Sequence, residues 1–158
     1  YVYFLYIDFN NNYMEKKMKI FAISALTIFI SSLALADYTM ENVYKLENID
    51  MIKNSDGSNV MNLTVNGVTK DSNGNKATLK CIISGRNGVI KGNCQGTDQD
   101  GDIEYSYIER DMTKGPVGQI KRTGGTGKYA NKSATCEYTI IMADFKLGAG
   151  YLTGTCKE

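Results

Sequence analysis

The sequence of 158 residues contains no histidine. It therefore has no side chain that ordinarily titrates near neutral pH, which excludes Ser-His and Cys-His nucleophile pairs and histidine-ligated zinc. The four cysteines carry no thiolate chemistry once they are oxidised to disulfides. These absences favour a protein that binds rather than catalyses and needs no metal or cofactor. Only cofactor-free catalysis stays open.

An excess of charge of either sign is also missing. The totals are 18 basic and 17 acidic side chains, and removing the three lysines and two carboxylates that precede residue 37 leaves 15 of each. The remaining charges are interspersed along the sequence. They therefore form neither a basic stripe that could bind a nucleic-acid backbone nor a basic patch that could bind an anionic membrane surface. We therefore expect no nucleic-acid partner.

The first part of the chain has the pattern of a targeting segment. A lysine-rich start is followed by an apolar run over residues 20–33, then by Ala34-Leu35-Ala36 and the polar Asp37. Small residues at the two positions that signal peptidase reads predict a secretory signal peptide over residues 18–36. A membrane anchor is the alternative, but the apolar run is shorter than the about 20 residues that a span needs. We expect a periplasmic or secreted protein with no membrane span after cleavage.

Residues 1–17 precede this segment and show no clean periodicity, and Met14 is the first methionine. We interpret them as translated upstream sequence or as the charged start of the signal. Residues 37–158 then form a single domain, which is long enough to bury a core. All four cysteines lie in this domain, and an even number in an exported protein predicts two disulfides.

The predicted domain consists of short segments rich in β-branched and aromatic residues, separated by Gly, Asn and Asp clusters. The chain contains one proline and 16 glycines. The regular spacing of these turn-forming clusters predicts a meander of hairpins, and closure into a barrel would hide the edge strands. We predict an all-β fold, a small antiparallel β-barrel of about eight strands, with a β-sandwich as the alternative. Strands are predicted at residues 60–69, 77–84, 89–97, 103–110, 117–123, 133–142 and 151–156.

Residues 41–52 allow two interpretations. Their apolar residues recur at spacings of three, namely Val43, Leu46, Ile49 and Ile52. This spacing suits one or two helical turns, or a first strand with imperfect alternation. We favour the strand because the rest of the domain is β.

Strand faces predict the first disulfide. Alternation places the side chains of Cys81 and Cys94 on the inward faces of their strands. If the hairpin folds about residues 86–88 so that Ile83 opposes Gly92, then Cys81 opposes Cys94. Directly opposed Cα atoms lie about 4.5 to 5.5 Å apart, which a disulfide can bridge.

The same argument predicts the second disulfide, with Cys136 on one face with Tyr138 and Met142. If Tyr138 opposes Gly154, then Cys136 opposes Cys156. We therefore predict the pairs Cys81–Cys94 and Cys136–Cys156. The competing connectivity would join strands that are not adjacent.

Two motifs suggest ligand chemistry but have a simpler structural explanation. Gly125-Thr126-Gly127-Lys128-Tyr129-Ala130 fits the dinucleotide pattern G-x-G-x-x-A, but an alternating strand follows it instead of a helix. We interpret it as a glycine-rich turn or bulge. Asp98-Gln99-Asp100-Gly101-Asp102 spaces its carboxylates as a calcium loop does, but Ile103 stands where that loop needs glycine. We interpret it as an Asp-Gly hairpin turn, with surface calcium binding as the alternative.

The predicted strand over residues 103–110 supplies most of the candidate ligand-binding residues. Alternation places Tyr105 and Tyr107 on one face and Glu104 and Arg110 on the other. Either face can line a cavity, so we take as candidates Tyr105, Tyr107, Glu104, Arg110 and, from the glycine-rich turn, Tyr129. Cross-strand packing is the competing use of the two strand tyrosines, and solvent exposure is the competing state of the charged pair.

Two stretches together resemble the allene oxide cyclase-like and dirigent-like β-barrel group. Residues 94–103 are similar to its C-x-G-T segment followed by a D-G-x-I turn, and residues 124–129 to its G-G-T-G-x-[YF] turn. The resemblance spans about residues 79–140 and implies an eight-stranded, lipocalin-like barrel with a cavity for an apolar small molecule. The chain departs from the group after Tyr129, where another glycine-rich step is usual, and before Ala77. No catalytic residue of the plant enzymes can be matched, so the cyclase activity does not carry over.

Three functions are compatible with these features. The first is a non-catalytic exported barrel that binds an apolar small molecule or a protein partner. The second is a cofactor-free isomerase or cyclase that acts by cavity shape, with Tyr105, Tyr107 and Glu104 or Glu109 as polar helpers. The third is a periplasmic inhibitor of a cell-wall hydrolase. A tightly packed barrel interior would count against the first two, and an apolar cavity with one or two buried polar groups would favour them.

Overall fold

The computed structural model describes residues 37–158, so the predicted signal peptide at 18–36 and our interpretation of residues 1–17 lie outside the described residues. This part of the chain folds into antiparallel strands that follow one another in order around a closed barrel. The strands are β1 (Tyr38–Lys53), β2 (Asn59–Asp71), β3 (Lys76–Arg86), β4 (Val89–Asp98), β5 (Ile103–Asp111), β6 (Val117–Gly125), β7 (Ala134–Asp144) and β8 (Ala149–Lys157).

The closed barrel confirms the predicted fold class, and the sandwich alternative is wrong. Each strand pairs with its neighbour in sequence, and β1 pairs with β8 to complete the ring. Closure leaves no strand edge unpaired, which explains how a chain of hairpins with little helix avoids edge-to-edge association. Two short 3-10 helices, Met112–Lys114 and Gly127–Tyr129, interrupt the loops. None of the helices within residues 37–158 has the length and apolarity needed to span a membrane.

The ambiguous segment is a strand, as we expected, and a β-bulge explains its irregular spacing. The β1–β2 register shifts between Glu47 and Asp50, and Asn48 adopts a φ of 49°. An extra residue in a strand reverses which face later side chains occupy. Ile52 follows the bulge and is therefore exposed on the outside, although it belongs to the same three-residue spacing as Leu46 and Ile49, which line the cavity. Val43 precedes the bulge and faces outward by ordinary alternation.

Turn chemistry fixes the hairpin register. Between β3 and β4, Asn87 and Gly88 have φ values of 51° and 85°. Two successive positive φ angles are the conformation of a tight hairpin turn, which Asn-Gly adopts with little strain. With this turn, Ile83 pairs with Gly92 as predicted.

Both predicted disulfides are present. Cys81 pairs with Cys94 and Cys136 with Cys156 in the strand register, with Cα separations of 4.0 and 3.9 Å. All four side chains are buried, and Cys156 is fully buried. Each disulfide belongs to a separate apolar cluster on the inner wall, one with Ile83, Ile90 and Ile108 and the other with Tyr38.

One predicted face assignment is wrong. Met142 was placed on the inward face with Cys136, but it is 63% exposed. The β7–β8 register shifts between Ile140 and Met142, so Ile141 forms a bulge and Ala143 takes the inward position instead. A bulge of one residue reverses alternation without leaving a signal in the apolar pattern.

Candidate functional site

The interior of the barrel contains a cavity of about 670 Å³. This volume lies within the range of small-molecule sites in proteins, about 300–1,000 Å³. Inward-facing apolar side chains from every strand line it, including Leu46, Leu63, Leu79, Ile90, Ile108, Ile120, Ile140 and Leu152. An eight-stranded barrel is wide enough either to be filled by its own side chains or to hold one small ligand, and this barrel leaves a space.

The loops after β1, β3, β5 and β7 form one end of the barrel, which we call the mouth. Exposed apolar side chains surround it: Ile49, Met51, Met112, Phe145 and Leu147. Phe145, although 83% exposed, also contributes to the cavity lining. An apolar molecule that enters here therefore meets an apolar rim before the apolar wall.

At the opposite end, which we call the polar end, Arg122 organises a buried network. Its Nη1 donates to Glu158 Oε1 at 2.8 Å, and its Nη2 donates to Tyr38 Oη at 2.8 Å and to Glu104 Oε2 at 3.1 Å. The guanidinium also lies 5.0 Å from the ring centroid of Tyr129. Charge-assisted hydrogen bonds of this kind are about twice as strong as neutral ones, so the network joins β1, β5, β6 and the C-terminus.

The charges in this network shift one another's titration. Burial alone would lower the pKa of Arg122, but the carboxylate of Glu104 and its other partners raise that pKa above its ordinary value. Burial raises the pKa of the Tyr129 phenol to about 12, and the nearby charge of Asp98 adds to the effect. Arg122 is therefore a permanent cation and Tyr129 a neutral phenol at physiological pH.

Lys128 connects the loops at the polar end. Its Nζ lies 2.8 Å from Asp98 Oδ2 and 3.0 Å from Asp100 Oδ2, and it donates to Asn75 Oδ1 at 2.9 Å. Asp98 also accepts from the backbone N–H groups of Asp100 and Asp102, which builds the predicted Asp-Gly turn.

The ammonium of Lys128 thus pairs with two of the three carboxylates of the Asp-Gly turn. Among residues 37–158, no group of three or more acidic, cysteine or histidine side chains is arranged to hold a metal ion.

The Asp98–Lys128 pair should make the barrel acid-sensitive in a defined window. The hydrogen bond from Lys128 is the main cause that lowers the pKa of the Asp98 carboxyl to about 2. In an unfolded chain, the pKa of an aspartate is about 3.9. The stabilisation is therefore fully present above about pH 4 and disappears as the pH falls through about 2. In an NMR titration of side-chain carboxyls, Lys128→Met should move the Asp98 midpoint up towards its ordinary value. An unchanged midpoint in Lys128→Met would show that the turn N–H groups, rather than Lys128, set it.

A second polar centre lies nearer the mouth, around Arg110. Arg110 faces the cavity from β5, and its buried Nε has no hydrogen-bond partner. The phenols of Tyr44 and Tyr138 are buried, and burial raises the pKa of each, while the positive charge of Arg110 lowers it in part. Arg110, Tyr44 and Tyr138 all line the cavity.

Tyr138 reaches this centre because glycine makes room for it. A Cβ added at Gly118 would lie 2.5 Å from the Tyr138 hydroxyl. Gly118 directly precedes Gln119, which pairs with Glu109 on β5. Continuing this register by one residue brings Gly118, and with it the Tyr138 hydroxyl, next to the position of Arg110. The ring therefore crosses the bare backbone of the neighbouring strand and still lines the cavity.

The structure separates the sequence-predicted site residues into two groups. Glu104, Arg110 and Tyr129 line the cavity. Tyr105 and Tyr107 lie on the outer face of β5, and Tyr105 is 45% exposed. The charged face of this strand, rather than the tyrosine face, is thus the one that lines the cavity. Ligand contact by the three cavity residues stays a prediction.

Sequence reasoning did not single out Tyr38, Tyr44, Arg122, Lys128 or Tyr138 as functional residues. A signal for Arg122 was present, because alternation over residues 117–123 places it on the same face as Ile120. Charge on the apolar face of a strand indicates a buried ion pair or a ligand contact. For Lys128, no comparable signal exists, since its partners come from loops far away in sequence.

Comparison with known proteins identifies the fold. No protein-family model matches the chain, and no curated protein matches it in sequence. Among solved structures, a pterocarpan synthase dirigent protein is similar, with a TM-score of 0.55 and 10% sequence identity, over 77% of this chain and 87% of that protein. At this identity the likeness concerns the fold alone. The chain therefore has the eight-stranded barrel fold of the dirigent-like group, in agreement with the resemblance of its glycine turns.

Proposed function

We propose that this protein is a non-catalytic carrier that binds an apolar small molecule inside the barrel. The observation that carries the proposal is the cavity of about 670 Å³, which is lined mainly by apolar side chains and has its charged groups towards the two ends. Sites of this composition bind ligands through burial of apolar surface, and a few polar groups fix the orientation. The apolar mouth supports the same function, because it gives such a ligand a route to the interior.

The cavity favours this function over the inhibitor hypothesis, which needs only an exposed loop and no interior space. The cofactor-free cyclase hypothesis loses most of its proposed helpers, since Tyr105, Tyr107 and Glu109 lie on the outer face of β5. Its remaining helper, Glu104, is held by Arg122 at 3.1 Å. The Oε2 atom of Glu104 already accepts a hydrogen bond from the guanidinium, so binding without catalysis is the better proposal.

We also infer that the protein acts in the periplasm or outside the cell. Two disulfides are formed and no free cysteine is found within residues 37–158. Structural disulfides of this kind persist in oxidising compartments and are rare in the cytosol. Intact-mass analysis of the exported protein should give an N-terminus at Asp37, and a mature chain that keeps residues 18–36 would contradict signal cleavage.

A tryptophan reporter tests the carrier function. The chain has no tryptophan, so a single introduced indole reports from one position. Leu79→Trp places it on the cavity wall, and Ile82→Trp places it on the exposed outer face of the same strand. Titration with 1-dodecanol should change the Leu79→Trp emission saturably and leave the Ile82→Trp emission constant. Equal responses, or no response from Leu79→Trp, would contradict binding in the cavity.

A further inference from the structure

Arg110, which is half-buried, differs from the buried Arg122 in having no counter-ion within residues 37–158. Arg122 is neutralised by Glu104 and Glu158, whereas no carboxylate of the described chain lies within ion-pair distance of Arg110. The Nε atoms of both arginines are buried and lack a hydrogen-bond acceptor, so the missing counter-ion is what distinguishes Arg110. Burying such a donor costs free energy without a compensating interaction. Folding alone does not account for an arginine at this position.

The surroundings of Arg110 add neutral donors and no negative charge. Tyr44 and Tyr138 are 8% and 4% exposed, and their rings cross the backbone at Gly150 and Gly118 respectively. The charge of Arg110 acts on both phenols, so all three groups lie in one region of the cavity. A guanidinium flanked by two phenols supplies several N–H and O–H donors, which together match the acceptors of a carboxylate.

The polar end, by contrast, repels an anion. Glu104, Asp98 and Asp71 line the cavity there, and the guanidinium of Arg122 is already paired. Arg110 and Glu104 are six residues apart on β5, which corresponds to about 20 Å along the strand. Ile108 and the apolar wall around the Cys81–Cys94 disulfide lie between them. The cavity is therefore polarised, with an unpaired cation near the mouth and carboxylates at the far end.

We propose that Arg110, with the hydroxyls of Tyr44 and Tyr138, binds the carboxylate of an amphipathic organic anion whose apolar body contacts the cavity wall. This inference rests on the proposed carrier function and adds the ligand's chemical class. Arg110 is the positioning cation for the head group, and the aliphatic side chains bind the remainder. A neutral apolar molecule of the same size would use the wall but gain nothing from Arg110.

The test compares two ligands that differ only in the head group. Dodecanoate and 1-dodecanol are titrated by calorimetry, at pH 7.5, into the wild-type protein and the Arg110→Met variant. Methionine keeps the length and apolar character of the side chain and removes its charge. We expect Arg110→Met to weaken dodecanoate binding about ten- to a hundredfold, the range for a charge-assisted hydrogen-bonded pair, and to leave 1-dodecanol binding within about threefold.

Two further variants test whether dodecanoate binding depends on a positive charge at position 110 or only on the net charge of the protein. Arg110→Lys keeps the cation and should recover at least part of the dodecanoate affinity, which a purely structural role of the guanidinium would not predict. Lys80→Met removes one positive charge from the exposed outer face of β3 and should change neither affinity.

The outcomes distinguish the two proposals. Equal loss of both ligands in Arg110→Met, or unchanged dodecanoate binding, overturns the carboxylate assignment while the carrier function stands on 1-dodecanol binding. If neither ligand binds the wild-type protein, the carrier function itself is overturned. Selective loss of dodecanoate with recovery in Arg110→Lys confirms both.

Discussion

Removing both disulfides should abolish most of the stability of the barrel. The cysteines of the two pairs are 13 and 20 residues apart, and a disulfide closing a loop of this size stabilises the folded state by about 3 kcal/mol in the chain-entropy model. The two together contribute about 6 kcal/mol, against a total of about 5–15 kcal/mol for a typical domain. We expect a variant with all four cysteines changed to alanine to unfold at far lower urea concentration than the parent, as measured by far-UV circular dichroism.

The single-pair variants are the control for this prediction. Cys81→Ala with Cys94→Ala, and Cys136→Ala with Cys156→Ala, should each lose about half of the effect, since the disulfides lie in separate clusters and their contributions should add. A quadruple variant that stays within about 1 kcal/mol of the parent would show that the hydrophobic interior and strand pairing suffice without cross-links.

The second large effect is expected from Arg122. Arg122→Met retains an unbranched side chain but leaves Glu104 and Glu158 without their cation and Tyr38 without its donor. The two carboxylates are 28% and 35% exposed, so water partly solvates them and the loss is smaller than for a fully buried pair. We expect the free energy of unfolding to fall by about 3 kcal/mol, most of it from the uncompensated charges and the orphaned buried hydroxyl.

Arg110→Met is the matched control, because it makes the same substitution inside the same barrel. Arg110 has no carboxylate partner within residues 37–158, whereas Arg122 has two; the Nε atom is unsatisfied in both. Replacing Arg110 should leave stability unchanged or raise it slightly, since a half-buried cation without a counter-ion is removed. Urea denaturation of the two variants should therefore separate them clearly. Equal destabilisation would mean that Arg110, like Arg122, serves the fold, which would weaken the case for a ligand contact.

Much of the fold could be predicted from local signals. The strand boundaries follow clusters of Gly, Asn and Asp, because these residues adopt the positive φ angles of tight turns at little cost. The Asn87-Gly88 turn then determines which residues oppose each other in the β3–β4 hairpin, and so predicts the Cys81–Cys94 pair before any long-range contact is known. Turn position and alternation are both encoded within about twenty residues of chain.

Two of the three register shifts within residues 37–158 mark the limit of this reasoning; the third lies between Tyr105 and Ser106 in the β5–β6 pair. At Asn48 and at Ile141, one extra residue shifts the register and exchanges the inward and outward faces. Ile52 and Met142 both belong to apolar patterns, yet both follow a bulge and are exposed. A bulge depends on how two strands fit around the curvature of the barrel, and neither strand's sequence contains that information by itself.

The candidate site follows the same division. Alternation correctly placed Tyr105 and Tyr107 on one face of β5 and Glu104 and Arg110 on the other. It did not show which face points into the barrel, because both sets contain residues that occur on either side of a sheet. The expectation that apolar side chains face inward fails here, because the cavity is not filled and can accept charged side chains. Only the closed barrel shows that the charged face lines it.

The sequence by itself determined the strand order, the turns, the disulfide pairing and the inward direction of the cysteines, since all of these depend on neighbours within a hairpin. Only the tertiary structure decided which charges are paired. Arg122 meets Tyr38 across 84 residues of sequence and Glu158 across 36, and closure of the barrel through β1 and β8 is what brings them together. The same closure leaves Arg110 without a carboxylate among residues 37–158, because long-range charge pairing is a property of the finished barrel and not of any one hairpin.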